Sequence, residues 1–301
     1  MINGIIVVHK EAGFTSHDVV AKMRGICGQK KIGHTGTLDP MATGVLPVCL
    51  GSATKLCDML ADKDKEYEAG LLLGVETDTQ DVTGRILRER AVEVREEEIR
   101  RCAASFVGEY LQVPPMYSAL KVNGRKLYEL ARAGKEVERA ARPVTIHGLE
   151  ILDIALPVVS MRVSCSKGTY IRTLCADMGE RLGCGGTMKS LVRTRVGGFL
   201  SESAVTLGEL QERKDKGCLR ESVVPTDRVF GDCPALHVCG DGCRLLENGN
   251  PVLPGQTLEG VIHAPGVWVR MYGRNGEFAG IYAYEPAGKR YRPVKMFLGK
   301  E

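Results

Sequence analysis

Long hydrophobic runs are missing from this sequence of 301 residues. No stretch approaches the roughly 20 apolar residues that a membrane-spanning helix requires. The N-terminus also lacks the charged, apolar and cleavage regions of a secretory signal peptide. These absences argue against a helical membrane protein and a secreted protein, so we expect a cytoplasmic protein with no membrane partner.

Aromatic residues and an excess of one charge are also scarce. Aromatic residues make up 5% of the chain, and few of them interleave with basic residues, so there is no broad platform for base stacking. The 41 basic residues face 37 acidic residues, which gives a net charge of +4. Because the total charge is small, only its local distribution can indicate a partner.

Paired cysteine motifs are a third absence. The 11 cysteines are odd in number and irregularly spaced, as expected of thiols that a cytoplasmic setting keeps reduced. The best metal candidate is formed by Cys233, His237, Cys239 and Cys243, but its spacing does not repeat a C-x-x-C pair. We therefore expect no metal site, and we interpret the cysteines as small buried apolar side chains.

Basic residues are concentrated in three segments. One such cluster is often only a solvated face, but three clusters in a mildly basic chain favour a polyanionic partner. The clusters are Arg100, Arg101, Lys121, Arg125, Lys126, Arg132, Lys135, Arg139 and Arg142; then Arg181, Lys189, Arg193 and Arg195; and finally Lys289, Arg290, Arg292 and Lys295.

Strand and helix patterns alternate without a regular βαβ repeat, which favours the α+β class. Strands are predicted at residues 5–8, 66–73, 143–154, 158–165, 260–263, 267–272 and 278–284. Helices are predicted to begin at the N-caps Ser16 and Ser52, and to cover residues 95–106, 128–133, 169–183 and 207–221. The pair Asn123-Gly124 predicts a hairpin turn. Breakers at residues 225–235 predict a boundary between a domain at 1–232 and a β-rich domain at 233–301.

The segment from Gly33 to Pro47 is the most informative part of the chain. It contains one acid, Asp39, in a run of glycine, threonine and proline that cannot form a helix. Glycines allow a close approach to a ligand, and Pro40 fixes the backbone directly after the acid. The residues alone predict a stiff loop and leave two interpretations of Asp39 open, a structural turn acid and a catalytic acid.

The sequence of this loop, GHTGTLDPMATGVLPVCLG, closely resembles the signature loop of the TruB family, bacterial tRNA pseudouridine synthases that modify uridine 55 in the T-loop. Further matching segments follow in the family's order: KEY at 65–67, TDTQDVTG at 77–84, PMYSALK at 115–121 and SCSKGTYIRTL at 164–174. One departure is Glu11, which stands where the family's first motif has proline and leaves the stiffness of that loop in question.

The resemblance implies roles for named residues. Asp39 corresponds to the catalytic nucleophile, and Arg172 to the arginine that pairs with it and keeps it ionised. Tyr67 corresponds to the ring that stacks on the target base.

The remaining implied residues surround the base. Tyr170 and Leu191 correspond to positions that line the uracil pocket. His34 corresponds to the histidine that fills the gap when the base leaves its stack, which matters because unstacking costs a few kcal/mol.

The resemblance also implies the fold. It predicts a mixed, largely antiparallel sheet of the pseudouridine synthase type, flanked by helices, with an RNA-binding insertion at about residues 100–142. More loosely, LLENGNPV at 245–252 and GEFAGI at 276–281 resemble a PUA domain, a small RNA-binding β-barrel, over residues 233–301.

The function implied is that of a tRNA pseudouridine-55 synthase. We expect a monomer that acts on the T-stem-loop of tRNA by base flipping, without cofactor, metal or guide RNA. One alternative is a non-catalytic RNA-binding or tRNA-folding module. Another is an unrelated hydrolase with a single acid, which would need a second carboxylate or metal cluster that no motif supplies.

Overall fold

The computed structural model describes residues 1–122 and 124–298, and its architecture is α+β, as predicted. The strands of the first part are β1 (Gly4–Lys10), β2 (Ile32–His34), β3 (Thr43–Leu50), β4 (Lys65–Leu73), β5 (Val75–Thr77), β6 (Ile86–Glu89), β7 (Gly108–Gln112), β8 (Lys121–Val122), β9 (Arg125–Lys126), β10 (Arg142–Ala155), β11 (Val158–Cys165), β12 (Gly186–Val196) and β13 (Phe199–Leu200). Its helices are α1 (Ser16–Cys27), α2 (Cys57–Ala61), α3 (Glu96–Ala104), α4 (Leu127–Arg132), α5 (Ile171–Arg181) and α6 (Leu207–Asp215). The tail contains β14 (Ala235–His237), α7 (Gly242–Glu247), β15 (Trp268–Tyr272), β16 (Phe278–Glu285) and β17 (Arg290–Met296).

A nine-stranded sheet organises the first part. Its strands run in the order β1-β3-β12-β4-β11-β10-β7, with β2 also paired to β3 and β13 to β12. Every pairing is antiparallel except that of β3 with β12, so the sheet is mixed and largely antiparallel, as predicted. Strands β3, β12 and β4 lie side by side, and this order brings distant parts of the sequence together.

Helices bury apolar surface on this sheet in two clusters. Helices α3 and α5 contribute Ile99 and Leu174 to one cluster, which also contains residues of β4 and β11. Helices α1 and α6 pack against β1 and β3 in the other, through residues such as Val19 and Leu210. Within the described residues, no helix is long and apolar enough to cross a bilayer.

Two predicted helix starts are wrong. Thr15, not Ser16, is the N-cap of α1, where its side chain accepts from the backbone of Asp18 in a capping box. Ser16 is the first helical residue, so its hydroxyl is free to bind elsewhere. Ser52 caps no helix, because residues 51–56 form a 3₁₀ helix that leads into α2.

The predicted hairpin is confirmed by the pairing of β8 with β9, while Asn123 itself lies outside the described residues. The basic segment at 100–142 divides into two parts. Its beginning belongs to the main body, since α3 packs in the core and β7 is an edge strand of the large sheet. The part that leaves the sheet covers residues 113–141 and contains the hairpin and α4.

The tail strands form a four-stranded sheet in the order β14-β15-β16-β17 with its own apolar cluster. Within the described residues we find no closure of this sheet into a barrel. The predicted strand at 260–263 is wrong. This segment is instead a loop held by the phenol of Tyr291, which accepts from the His263 amide at 3.0 Å and donates to the Val261 carbonyl at 3.1 Å. Strand β17 was not predicted, because its apolar residues do not alternate.

The tail and the main body share a further cluster. Ile281 and Phe297 of the tail pack with Leu56, Leu60 and Phe230 of the main body. Since these side chains are buried together, truncation at the predicted boundary would expose apolar surface on the main body.

Alanine substitutions at two helical glycines, one in α5 and one in α1 as a control, test how closely α5 packs on the sheet. A Cβ on Gly179 would lie 2.1 Å from the backbone nitrogen of Gly186, whereas a Cβ on Gly25 of α1 would meet nothing within 4 Å. Gly179→Ala should lower the free energy of unfolding by about 1–3 kcal/mol through overpacking. Gly25→Ala should raise it by up to about 1 kcal/mol, because alanine favours the helix. Urea unfolding measures both, and equal effects would contradict the close contact.

Candidate active site

The loop between β2 and β3 carries Asp39 and is anchored by a buried lysine. The Lys10 ammonium donates to the carbonyls of Glu11, Phe14 and Pro40, at 3.0, 2.6 and 2.9 Å. Burial lowers the pKa of Lys10 to about 8, and attraction to Asp39 opposes that shift. The departure at Glu11 therefore leaves the loop anchored, because Lys10 binds the main chain.

A second pair of hydrogen bonds fixes the residues on either side of the acid. The amide of Gly13 donates to the Pro40 carbonyl at 3.0 Å. The amide of Leu38 donates to the Ser16 hydroxyl at 2.9 Å, so the serine predicted as a helix cap holds the loop instead. Asp39 is thus presented from a main chain that is tied down on both sides.

Asp39 is paired with Arg172 of α5. Its two carboxylate oxygens contact Nε at 2.9 Å and Nη2 at 3.3 Å, a two-point contact that fixes the relative orientation of both groups. The arginine side chain is 6% exposed and that of Asp39 is 37% exposed, so the carboxylate lies at the mouth of the site. Two more guanidinium hydrogens are donated to the carbonyls of Thr79, at 3.0 Å, and Tyr117, at 2.7 Å.

A second carboxylate, Asp81, lies on the far side of this arginine. Its Oδ2 is 3.8 Å from Arg172 Nη1, and its side chain is 15% exposed. Burial raises the pKa of Asp39, the positive charge of Arg172 opposes that rise, and the negative charge of Asp81 adds to it. Sequence reasoning assigned no role to Asp81, although the TDTQDVTG match contained it.

An apolar wall adjoins the acid. Tyr67 of β4 and Leu191 of β12 belong to one buried cluster with Leu38 and Ala42 of the loop. Burial raises the pKa of Tyr67, so its phenol stays protonated at neutral pH. An apolar surface beside a carboxylate can hold a planar base and exclude water from it.

Tyr170 is placed next to the arginine by a buried glutamine. The Gln112 side chain accepts from the Tyr170 amide at 2.8 Å and donates to the Tyr170 carbonyl at 2.9 Å. The Tyr170 ring is half-buried beside Ser118, and burial raises the pKa of its phenol. This predicted residue therefore lies at the start of α5, close to Asp39 and Arg172.

His34 stands at the beginning of the loop. Its Nδ1 accepts from the Gly36 amide at 3.2 Å, and its ring makes an edge-to-face contact with His17 at 5.2 Å. Burial lowers the pKa of His34, so the imidazole is neutral near neutral pH. Across the described part of the chain it makes no hydrogen bond or ion pair with Asp39, and its backbone contact is one that a purely structural loop histidine also makes.

Unpartnered buried polar atoms are concentrated around this site. Four such side-chain atoms occur in residues 1–122 and 124–298, on Thr35, Ser118, Arg139 and Arg193. Thr35 lies in the Asp39 loop, and Ser118 lies beside Tyr170. A buried polar atom without a partner costs about 1–3 kcal/mol, so each of these atoms lowers the stability of the fold.

The four tail residues weighed as a metal candidate, for which no site is expected from the sequence, are not brought together. Among the described residues, no group of three or more histidine, cysteine or acidic side chains is arranged to hold a metal ion. His237 instead stacks on Tyr272 at 5.1 Å and contacts Glu259 at 2.7 Å. The cysteines are free thiols.

Comparison with known proteins gives matches over nearly the whole chain. The model of the TruB family pseudouridylate synthase N-terminal domain matches residues 24–171, and that of the tRNA pseudouridylate synthase B C-terminal domain matches residues 172–230. The tRNA pseudouridine synthase B of Lachnoclostridium phytofermentans is 51% identical over 99% of this chain and 100% of its own. That of Alkaliphilus oremlandii is 48% identical over 88% of this chain and 87% of its own.

Solved structures give the same fold. The chain is similar to one in an H/ACA RNP bound to a substrate RNA containing 2'-deoxyuridine, with a TM-score of 0.72, 25% identity, and coverage of 99% of this chain and 86% of that chain. A chain in a Cbf5-Nop10-Gar1 complex is similar with a TM-score of 0.73 and 27% identity. The match covers 99% of this chain and 85% of that chain.

Two substitutions should move the pKa of Asp39 in opposite directions. Arg172→Met removes the charge that favours the carboxylate and should raise this pKa further. Asp81→Asn removes the charge that disfavours it and should lower the pKa. A ¹³C NMR titration of labelled aspartate, with the Asp39 signal assigned through Asp39→Asn, measures both. Shifts in the same direction would contradict the arrangement, provided that circular dichroism shows folded variants.

Proposed function

The chain belongs to the TruB family of pseudouridylate synthases, and on that premise we propose that it converts uridine 55 in the T-loop of tRNA to pseudouridine. The observation that carries the proposal is the two-point pair of Asp39 and Arg172 beside an apolar wall. A non-catalytic RNA-binding module would have no need to keep this buried pair intact.

The chemistry fits a site with one accessible carboxylate. The reaction breaks the bond between uracil N1 and the ribose C1′ and joins C5 to C1′ instead, while the proton on C5 is released to solvent and N1 takes up a proton. Because atoms and electrons are conserved, no redox cofactor is required. Asp39 serves as the nucleophile, and Arg172 keeps its carboxylate ionised against the burial that raises its pKa.

The flipped base is held by the residues around this pair. We assign stacking on the uracil to Tyr67, and the remaining walls to Tyr170 and Leu191. These assignments are supported by the burial of Tyr67 and Leu191 in the cluster that includes the Asp39 loop. We assign to His34 the space that the base leaves in the T-loop, since a neutral imidazole can stack there without the cost of desolvating a charge.

We assign tRNA binding to two regions outside the sheet. The first is the basic segment at residues 113–141, whose hairpin and α4 expose lysine and arginine side chains. The second is the tail, interpreted as a PUA-like domain because of its four-stranded sheet and separate core. Arg290 and Arg292 of the tail are paired with Glu285, so that cluster is less positive than the sequence suggests.

We further propose that the chain acts as a monomer without a guide RNA. The support is that the tRNA pseudouridine synthase B of Lachnoclostridium phytofermentans matches at 51% identity over 100% of its length, whereas the H/ACA chain matches at 25%. The test is tritium release from uridine labelled at C5 in an unmodified tRNA transcript. Release by the chain alone is expected, and a need for added RNA or protein would contradict the proposal.

Asp39→Asn should abolish tritium release while leaving tRNA affinity within a few-fold. Phosphate contacts from dispersed lysine and arginine side chains position the RNA, whereas one carboxylate performs the chemistry. Filter binding and tritium release, measured on one preparation, separate the two effects. Turnover near that of the parent chain would remove Asp39 from the mechanism.

Reversing charge on the hairpin segment should weaken the salt dependence of tRNA binding. Lys121, Arg125 and Lys135 are exposed, and the slope of log K against log salt should fall by about 1 for each of them that binds a phosphate. The triple change to glutamate is compared with Lys216→Glu, an exposed lysine outside the three basic clusters. An unchanged slope for the triple variant would place the tRNA on another surface.

A further inference from the structure

Arg193 does not belong to the surface cluster in which the sequence grouped it. It is 2% exposed and ranks among the largest fully buried side chains of the protein. Its Nε donates to the Val45 carbonyl at 2.7 Å, and its Nη2 has no partner in the described residues. Such a side chain cannot contact RNA phosphate at the surface, so its charge must serve something inside the protein.

The sheet register places Arg193 behind the candidate base site. On β12 it lies directly opposite Tyr67 of β4, and side chains of directly opposed residues point to the same face. On its other side it pairs with Gly44, where a Cβ would lie 2.2 Å from the Arg193 carbonyl oxygen. Its Nη1 is 3.9 Å from the position of a Cβ on Gly36, in the Asp39 loop.

No carboxylate neutralises this guanidinium. Among the residues that the structure describes, no acidic oxygen forms an ion pair with Arg193. Two other buried cations, Lys10 and Lys65, lie close enough for their charges to repel it. A buried unpaired charge is strongly unfavourable, so this arginine is retained at a cost to stability.

We propose that Arg193 is a positioning residue of the reaction, whose guanidinium holds the phenol oxygen of Tyr67 and so fixes the ring against the plane of the target uracil. This inference rests on the proposed function and on the stacking role of Tyr67. The Arg193 guanidinium and the Tyr67 phenol lie within hydrogen-bonding reach of each other, and the bond from Nε to Val45 fixes the guanidinium plane.

The positive charge has a second consequence for the same step. When the glycosidic bond breaks, its electron pair remains on the ring nitrogen, and the detached uracil carries a negative charge. A fixed buried cation behind the stacked tyrosine stabilises that charge more than a solvated one would, because the local dielectric is low. Arg193 therefore acts without touching the base, through the phenol that it orients.

A double-mutant cycle tests this inference. The rate of pseudouridine formation on bound tRNA is measured in single turnovers for the parent chain, Arg193→Gln, Tyr67→Phe and the double variant. Losing a hydrogen bond to a charged group should slow Arg193→Gln by about tenfold to a hundredfold, with tRNA affinity within a few-fold. In the Tyr67→Phe background, the same change should cost a clearly smaller factor, because the hydrogen bond to the phenol is already absent and only the effect of the charge remains.

Two further variants keep the result interpretable. Arg162→Gln removes an arginine from the exposed side of neighbouring β11 and should retain the parent rate. If Arg193→Gln does not fold by circular dichroism, Arg193→Met is used in the same cycle, since it removes the charge and the donors but keeps a long side chain that fills the buried space.

The outcomes separate this inference from the proposed function. An inactive parent chain would overturn the function itself. An active parent in which the Arg193 change costs the same factor with and without the Tyr67 hydroxyl would overturn only the positioning role and assign Arg193 to stability. A Tyr67→Phe variant with the parent rate would overturn it as well, because the phenol oxygen would then have no part in the reaction.

Discussion

The arrangement of the site depends on the buried guanidinium of Arg172. Its hydrogens are shared among Asp39, the Thr79 carbonyl and the Tyr117 carbonyl, so one side chain joins three segments distant in sequence. The loop carrying Asp39 belongs to the main sheet, whereas Tyr117 belongs to the basic segment that leaves it. Order in the basic segment and order at the carboxylate are therefore coupled through one arginine.

Burial and nearby charges shift the pKa of Asp39 in opposite directions. Burial and Asp81 raise its pKa, and Arg172 opposes them. A fully exposed acid would be ionised but strongly solvated, and a fully buried one would take up a proton. Lys10 performs the complementary task for the main chain, because its ammonium fixes the loop through carbonyl groups and leaves the carboxylate available.

Local patterns predicted the strands β1, β4, β10 and β11 of the large sheet but missed β3 and β12. A family resemblance predicted the pair of Asp39 and Arg172. Contacts that depend on the register of distant strands could not be predicted in this way. The sequence predicts that Ser16 caps α1. In the structure Thr15 caps the helix, and the Ser16 hydroxyl binds the loop that carries Asp39. The sequence groups Arg193 with a cluster of basic residues that suggests a charged surface. Only the pairing of β12 with β4 shows that its side chain is buried.

The central claim is that this chain, acting alone, isomerises one uridine of tRNA. Carbodiimide treatment of the reacted transcript, followed by reverse transcription, maps pseudouridine to single nucleotides. One new stop, assigned to uridine 55, is expected after incubation with the chain and no other macromolecule. A transcript without a new stop, or with stops only at other uridines, would contradict the claim.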